Sequence, residues 1–237
     1  MTISPLPPEE PKLVLLDMDG VLVDSMPIHD YAWRTAADKY NLKYEAGEFF
    51  RAEGMKGRDT IILLYRKTFD EDPTEDFIEE VYAYKTHLFE ERQADLLRPI
   101  PYVKELILYL KEVRGIDLGV VTGSTTANAL SRIGTYFEGL FTEEQLITAD
   151  KVEKGKPDPE PYLRGMSLTG HSAGETLVVE NAPLGVRSAV AAGAFTVAVA
   201  TGPIPEEILR HEGGANLIFP NMRALLAWWR VTYGEAV

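Results

Sequence analysis

Two carboxylates stand two residues apart in Leu15-Leu16-Asp17-Met18-Asp19-Gly20, directly after an apolar run over Leu13 to Leu16. Such a pair beside a buried strand costs several kcal/mol unless something pairs with it, and a divalent cation is the natural partner. Two further apolar runs also end in polar side chains: Val120-Val121-Thr122-Gly123-Ser124 and Val178-Val179-Glu180-Asn181. A fourth piece, Gly155-Lys156-Pro157, puts a lysine in a turn. Together these supply carboxylates, a hydroxyl, a cation and an amide. That is the inventory of a phosphoryl-transfer site: a metal, a nucleophile and counter-charges.

The elements that must gather these groups are legible as short branched apolar runs alternating with helical spacing. Strands are predicted over Leu13 to Leu16, Asp117 to Val121, Thr176 to Val179 and 195–199, with a short edge strand near Leu146 to Thr148. Helices are predicted at about 101–113, 125–134, 159–168, 183–193, 205–211 and 221–232. Alternation of this kind predicts a parallel sheet with right-handed crossovers. All the polar strand ends then face one edge, where open α/β sheets build their sites.

The stretch 25–93 interrupts the alternation after the first strand. Ile28, Tyr31, Ala32, Trp33, Ala36 and Tyr40 recur at helical spacing, helices follow at about 59–69 and 74–92, and no convincing buried strand intervenes. Arg51 to Asp59, with two glycines and a high density of charge, reads as a loop. The expected fold class is therefore α/β: a Rossmann-like parallel sheet core from residues 1–24 and 94–237, with an inserted helical-bundle cap at 25–93 hinged at both ends. Met1 to Pro11, proline-rich, acidic and without the apolar segment of a signal peptide, is expected to be a loose tail.

Composition bounds the rest. A chain of 237 residues, 45% hydrophobic and 26% charged, suits one α/β core with an insertion. A net charge of −13 argues against a nucleic-acid partner and fits solubility. The absence of cysteine excludes thiolate nucleophiles, disulfides and Cys-based metal centres, and suggests a cytoplasmic address. No apolar run approaches the ~18 residues of a membrane span. A monomer is expected, because a mobile cap beside a site works without a partner.

The four pieces, Asp17-Met18-Asp19-Gly20-Val21-Leu22-Val23-Asp24-Ser25, Val120 to Ser124, Lys154 to Tyr162 and Val178 to Val186, resemble in order the four motifs of the haloacid dehalogenase (HAD) superfamily. The cap position resembles its β-phosphoglucomutase-like phosphatase subgroup. The resemblance implies that Asp17 is the nucleophile and forms an aspartyl phosphate. It implies that Asp19 is the general acid and base, first protonating the leaving oxygen and then activating water. Thr122 and the amides of Gly123 and Ser124 would hold phosphoryl oxygens, and Lys156 would neutralise charge between the phosphate and Asp17. Mg²⁺ would be held by the Asp17 carboxylate, the Asp19 carbonyl and Asn181. Asn181 departs from the aspartate that relatives usually carry, and Glu180 is expected to compensate at the metal, directly or through water.

Cap residues carry the expectation about substrate. His29, twelve residues after Asp17, resembles the histidine that β-phosphoglucomutase places beside its acid/base. Lys56 and Arg58, in the glycine-flanked loop, suit a second anionic group. Glu53 is more specific, since a carboxylate facing a phosphoryl site repels an ordinary ester and makes sense as part of a Mg²⁺ shell. Glu53-Gly54 ahead of Gly57, with Thr201-Gly202-Pro203-Ile204 and Leu217-Ile218-Phe219-Pro220, resembles a Bacteroides-type branch of the subgroup that acts as an inorganic pyrophosphatase. The expected activity is Mg²⁺-dependent hydrolysis of pyrophosphate; a β-phosphoglucomutase or a broad sugar-phosphate phosphatase are the alternatives. Asp24 is read as structural at the hinge, Asp158 as a cap of the following helix, His171 and His211 as surface residues, and Trp228 and Trp229 as packing.

Overall fold

The computed structural model describes residues 9–234. Met1 to Pro8, most of the expected loose tail, lies outside the described residues. The rest of that stretch is anchored: Arg114 Nε and Nη2 donate to the two carboxylate oxygens of Glu10 at 2.6 and 2.7 Å.

The chain opens with β1 (Leu13–Asp17) and then enters four helices, α1 (Met26–Lys39), α2 (Glu48–Arg51), α3 (Gly57–Phe69) and α4 (Glu75–Leu96). It returns through α5 (Val103–Leu108), which runs on as a π-helical turn over Tyr109–Val113, to β2 (Asp117–Val121), α6 (Thr126–Tyr136) and β3 (Leu146–Ile147). The second half is α7 (Glu160–Thr169), β4 (Thr176–Glu180), α8 (Pro183–Ala191), β5 (Phe195–Val199), α9 (Glu206–Ile208), β6 (Leu217–Phe219) and α10 (Met222–Tyr233). The six strands are all parallel and lie in the order β3-β2-β1-β4-β5-β6. The fold is the α/β class expected, a parallel sheet flanked by helices with a helical cap. The chain winds out to one edge through β2 and β3, then to the other through β4, β5 and β6. The reversal occurs at β1, and the crevice at such a switch point is where this architecture binds ligands.

β1 is apolar from Leu13 to Leu16 because both of its faces are covered. Leu13 and Leu15 pack with Tyr162 and Met166 of α7, while Val14 and Leu16 join the larger cluster that holds Leu106, Leu225 and Trp229. Trp229 is thus packing; Trp228 is partly buried against the same cluster. β6 was not predicted, since three half-buried residues at a sheet edge are too few to show a period. The loop expected over Arg51 to Asp59 is shorter than that, because α2 ends at Arg51 and α3 already begins at Gly57.

The helices α1 to α4 have an apolar cluster of their own, including Trp33, Phe49, Ile61, Leu64, Ile78 and Val81. Thr74 caps α4, its hydroxyl accepting from Phe77 N at 3.2 Å. The far end of α4 instead serves the main core through Leu88 and Phe89. The two linkers between this helical unit and the sheet are bonded to each other: Asp24 N donates to Arg98 O at 2.8 Å and Ile100 N to Leu22 O at 2.9 Å. Among the described residues no helix is long and apolar enough to cross a membrane.

Candidate active site

Asp17 ends β1, and in the next strands Val121 and Val179 are register partners of Asp17 and Leu16, so the three polar strand ends meet at one edge. Lys156 is the hub. Its Nζ donates to Asp17 Oδ1 at 2.5 Å, to Glu180 Oε1 at 2.6 Å and to Val121 O at 3.1 Å. All three charged groups are buried, which a pairing this complete makes tolerable. Tyr162 O–H adds a 2.6 Å bond to Glu180 Oε1, and the amides of Asn181 and Ala182 donate to Glu180 Oε2 at 3.0 and 3.3 Å. Both Glu180 oxygens are therefore spent on protein groups. Glu180, expected at the metal directly or through water, here fixes Lys156 and the start of the following turn.

Asp19 turns the other way. Its Oδ1 accepts from Ser25 Oγ at 2.5 Å and Arg132 Nη1 at 3.0 Å, with His29 Nε2 at 3.3 Å, and Thr122 Oγ1 lies 3.4 Å from Oδ2. Burial alone would raise this carboxyl, but the Arg132 charge and the bonds from His29 and Ser25 hold it well below the usual range. Asp17 goes up, because burial and the neighbouring Glu180 and Asp19 outweigh Lys156. The two carboxyls thus sit in opposite surroundings, Asp17 lifted by burial and carboxylate neighbours and Asp19 held down by a cation and hydrogen-bond donors. Thr122 Oγ1 also accepts from Ser124 N at 3.1 Å, which shapes the Thr122-Gly123-Ser124 turn.

The cap loop closes directly over these groups. Gly54 adopts φ +82°, and a Cβ there would stand 2.7 Å from Lys156 Cδ, so both the turn and the approach exclude a side chain. The carbonyl oxygens of Gly54 and Met55 lie against Gly123. Glu53 is thereby buried in the site, 8% exposed, with Oε2 accepting from Asn181 Nδ2 at 3.1 Å. Burial first, then Asp17, Asp19 and Glu180, pushes its carboxyl well up. Gly20, at φ +86°, turns the chain after Asp19 and leaves room for the Asn181 side chain, which a Cβ at that position would strike.

Three buried oxygens in this space have no hydrogen-bond donor: Asp17 Oδ2, Glu53 Oε1 and Asn181 Oδ1. Orphaned acceptors of this kind are what a hard divalent cation satisfies. Among the described residues no three His, Cys, Asp or Glu side chains form a metal-binding group, and the third oxygen here is an amide's.

His29 takes the position expected beside Asp19. Its Nδ1 stands 2.9 Å from Lys85 Nζ, and burial together with Lys85 lowers its pKa to about 4, so the ring is neutral. Lys56 and Arg58 go elsewhere. Lys56 Nζ donates to Val152 O and Glu153 O at 2.6 and 2.8 Å, pinning the cap loop to the core, and Arg58 pairs with Glu75 on the surface. The second-anion role expected of these two is therefore not where the structure places them. Asp158 does cap locally, accepting from Glu160 N at 3.0 Å, and His171 pairs with Asp117.

Sequence reasoning missed Lys85 and Arg132. Both line the cavity of about 280 Å³ between cap and core, together with Asp17, Asp19, His29 and Glu53. A signal existed. Lys85 shares the buried face of α4 with Val81, Leu88 and Phe89, and Arg132 that of α6 with Ala129 and Ile133. A cation on an apolar stripe needs a reason to be there.

Comparison with known proteins places this geometry. Residues 11–193 match the model of the haloacid dehalogenase-like hydrolases. Hexitol phosphatase A of Escherichia coli is 33% identical over 185 residues, 78% of this chain and 81% of that protein. A phosphorylated carbohydrates phosphatase of Thermotoga maritima is 32% identical over 181 residues, 76% of this chain and 81% of that one. A solved structure of a candidate β-phosphoglucomutase from Bacteroides vulgatus superposes with a TM-score of 0.87 at 39% identity, covering 93% of this chain and 88% of that chain.

Proposed function

The chain belongs to the haloacid dehalogenase-like hydrolase family and is a phosphatase of that family, and from that premise we propose that it is a Mg²⁺-dependent phosphohydrolase whose substrate is inorganic pyrophosphate. Asp17 attacks phosphorus and carries the phosphoryl group. Lys156, held by Glu180, offsets charge at Asp17. The Thr122-Gly123-Ser124 turn receives the phosphoryl oxygens. Asp19 handles the proton, giving it to a leaving oxygen that needs one and taking it from the attacking water. Asp17, Asn181, Glu53 and the Asp19 carbonyl would hold Mg²⁺. When bound it supplies Lewis-acid neutralisation of the phosphoryl oxygens.

The observation that carries the pyrophosphate reading is Glu53. A buried cap carboxylate bonded to Asn181 and left with a free oxygen beside Asp17 suits a small, highly charged, metal-bound substrate. It opposes a neutral sugar at the same place. A second reading, a sugar-phosphate phosphatase, has its own support. The two phosphatases above are named for phosphorylated sugars or polyols, and Thr60, Tyr82, Thr86, Asn128 and Ser131 line the cavity.

Phosphate release by the purified protein with Mg²⁺ decides between them, as kcat/KM for pyrophosphate, hexitol and hexose 6-phosphates, β-glucose 1-phosphate and p-nitrophenyl phosphate. A preference for pyrophosphate of about 10²-fold or more is expected. A preference for the sugar phosphates replaces this reading with the second.

A further inference from the structure

Two buried basic side chains face the cavity with donors to spare. Arg132 is 5% exposed; its Nη1 donates to Asp19 Oδ1 at 3.0 Å and Ser124 Oγ at 3.1 Å, while its Nε has no acceptor. Lys85 is 7% exposed and bonds to a neutral ring nitrogen, Nδ1 of His29, at 2.9 Å. Among the described residues no carboxylate forms a salt bridge with it. Both flank the ring of Phe89, the guanidinium carbon 4.3 Å and the ammonium nitrogen 5.4 Å from its centroid, and the His29 ring lies 4.4 Å away. A buried cation without a full set of acceptors is costly. A guanidinium fork is the donor geometry that matches an oxyanion.

The cavity is therefore polarised. Acceptors without donors gather at Asp17, Glu53 and Asn181, and at the other end stand the unpartnered Nε of Arg132 and the Lys85 amine, bonded to a ring nitrogen. A ligand that satisfies both ends brings a cation to the first and an anion to the second. Asp19, bonded to Arg132, lines the same cavity.

We propose that Arg132 binds the leaving group and selects one that is itself an oxyanion, with Lys85 as the second charge from the cap. The inference rests on the phosphohydrolase reading and assigns the residue that reads the charge of the departing half. In the first step an Asp17 oxygen forms a bond to phosphorus and the bridging P–O bond breaks. The bridging oxygen keeps the electron pair and leaves as part of a phosphate anion, whose charge meets the Arg132 N–H groups. In the second step water attacks the aspartyl phosphate, Asp19 takes its proton, and the P–O bond to Asp17 breaks to release the second phosphate.

The test compares the wild type with Arg132→Gln on pyrophosphate and on p-nitrophenyl phosphate, with Mg²⁺. p-Nitrophenolate leaves without a proton, whereas phosphate takes one when it would otherwise leave as the trianion, so the ratio is read from about pH 6 to 9: a residue that only positions Asp19 changes it with pH, and a residue that binds the oxyanion changes it at every pH. The wild-type ratio of kcat/KM values tests the pyrophosphate reading, and the change of that ratio in the variant tests Arg132. Should the wild type cleave pyrophosphate poorly, the same comparison is made on a sugar bisphosphate and its monophosphate. The expected result is a loss about 10²-fold larger on the substrate with the anionic leaving group. Inhibition of p-nitrophenyl phosphate hydrolysis by orthophosphate should weaken as well. Equal loss on both substrates, or no loss, overturns the proposal. If Arg132→Gln fails to fold, Lys85→Met carries the same test from the other element, with a smaller fall in the ratio expected and an unchanged ratio overturning it.

Discussion

Glu53 Oε2 accepts a hydrogen bond from Asn181 Nδ2 at 3.1 Å, joining residues 128 positions apart across the boundary between the cap loop and the sheet edge. The bond explains why an amide stands at 181. A carboxylate there would face Glu53 as a second acceptor, whereas the amide donates to Glu53 through Nδ2 and keeps Oδ1 free for a metal.

Asn181→Asp tests this directly. Removing the donor leaves Glu53 unpaired in a buried place, at a cost of about 1–3 kcal/mol. The melting temperature without metal should fall by several degrees. The added carboxylate should also make the gain in melting temperature on adding Mg²⁺ larger than in the wild type. Equal melting temperatures with and without Mg²⁺ in both proteins would count against a metal at this position.

Glu53→Gln keeps size and burial while removing the charge. We expect kcat/KM for pyrophosphate to drop by about 10²-fold, with a much smaller change for p-nitrophenyl phosphate. The metal concentration needed for half-maximal rate should rise. Parallel losses on both substrates would show that Glu53 acts on the fold or on metal binding in general and not on substrate choice.

Lys156→Met should be the most damaging single change to stability. It keeps the aliphatic stem but leaves Asp17 and Glu180 buried without their shared cation, a loss of about 3–5 kcal/mol. Adding Glu180→Gln to that variant should recover part of the loss in urea unfolding. A double variant no more stable than the single one would place the cost elsewhere.

Lys85 predicts a pH dependence. Burial, with Arg132 nearby, lowers its pKa from 10.5 to about 7. The unfolded chain therefore holds more protons than the folded one between those values, and stability rises with pH across that window. The contribution is complete above pH 10.5 and is lost as pH falls through about 7. Urea midpoints measured from about pH 6.5 to 9 should climb in the wild type. The climb should be shallower in Lys85→Met, which should also gain stability at the acid end. Identical slopes in the two proteins would refute the assignment to Lys85.

Much of the core site was legible because its physics is local. Asp17, Thr122 and Glu180 each follow an apolar strand, so the sheet alone brings them to one edge. Lys85 and Arg132 were not read, because each lies inside a helical stripe whose apolar neighbours set the period. What they face depends on how α4 and α6 pack across the cavity. Lys56 shows the same limit from the other side. Its loop is visible in the sequence, but its partners are backbone carbonyls 96 and 97 residues away. Glu180 was placed at the right edge without its protein partners, since the 2.6 Å bond from Tyr162 and the two amides that donate to it arise only from the folded turn.

The central place of β1 also has a consequence for how the protein comes into being. Among the described strands the one that carries Asp17 comes first in the chain, yet both of its hydrogen-bonding neighbours, β2 and β4, arrive late, at Asp117–Val121 and Thr176–Glu180. The whole helical unit is made in between, and its contacts are largely local, so it can form before the sheet does. Asp17 acquires its lysine only after residue 156, and Glu53 its amide only after residue 181. The groups that surround Asp17 thus come from both ends of a long stretch of chain, and the site can be complete only once β4 and the turn after it have been made.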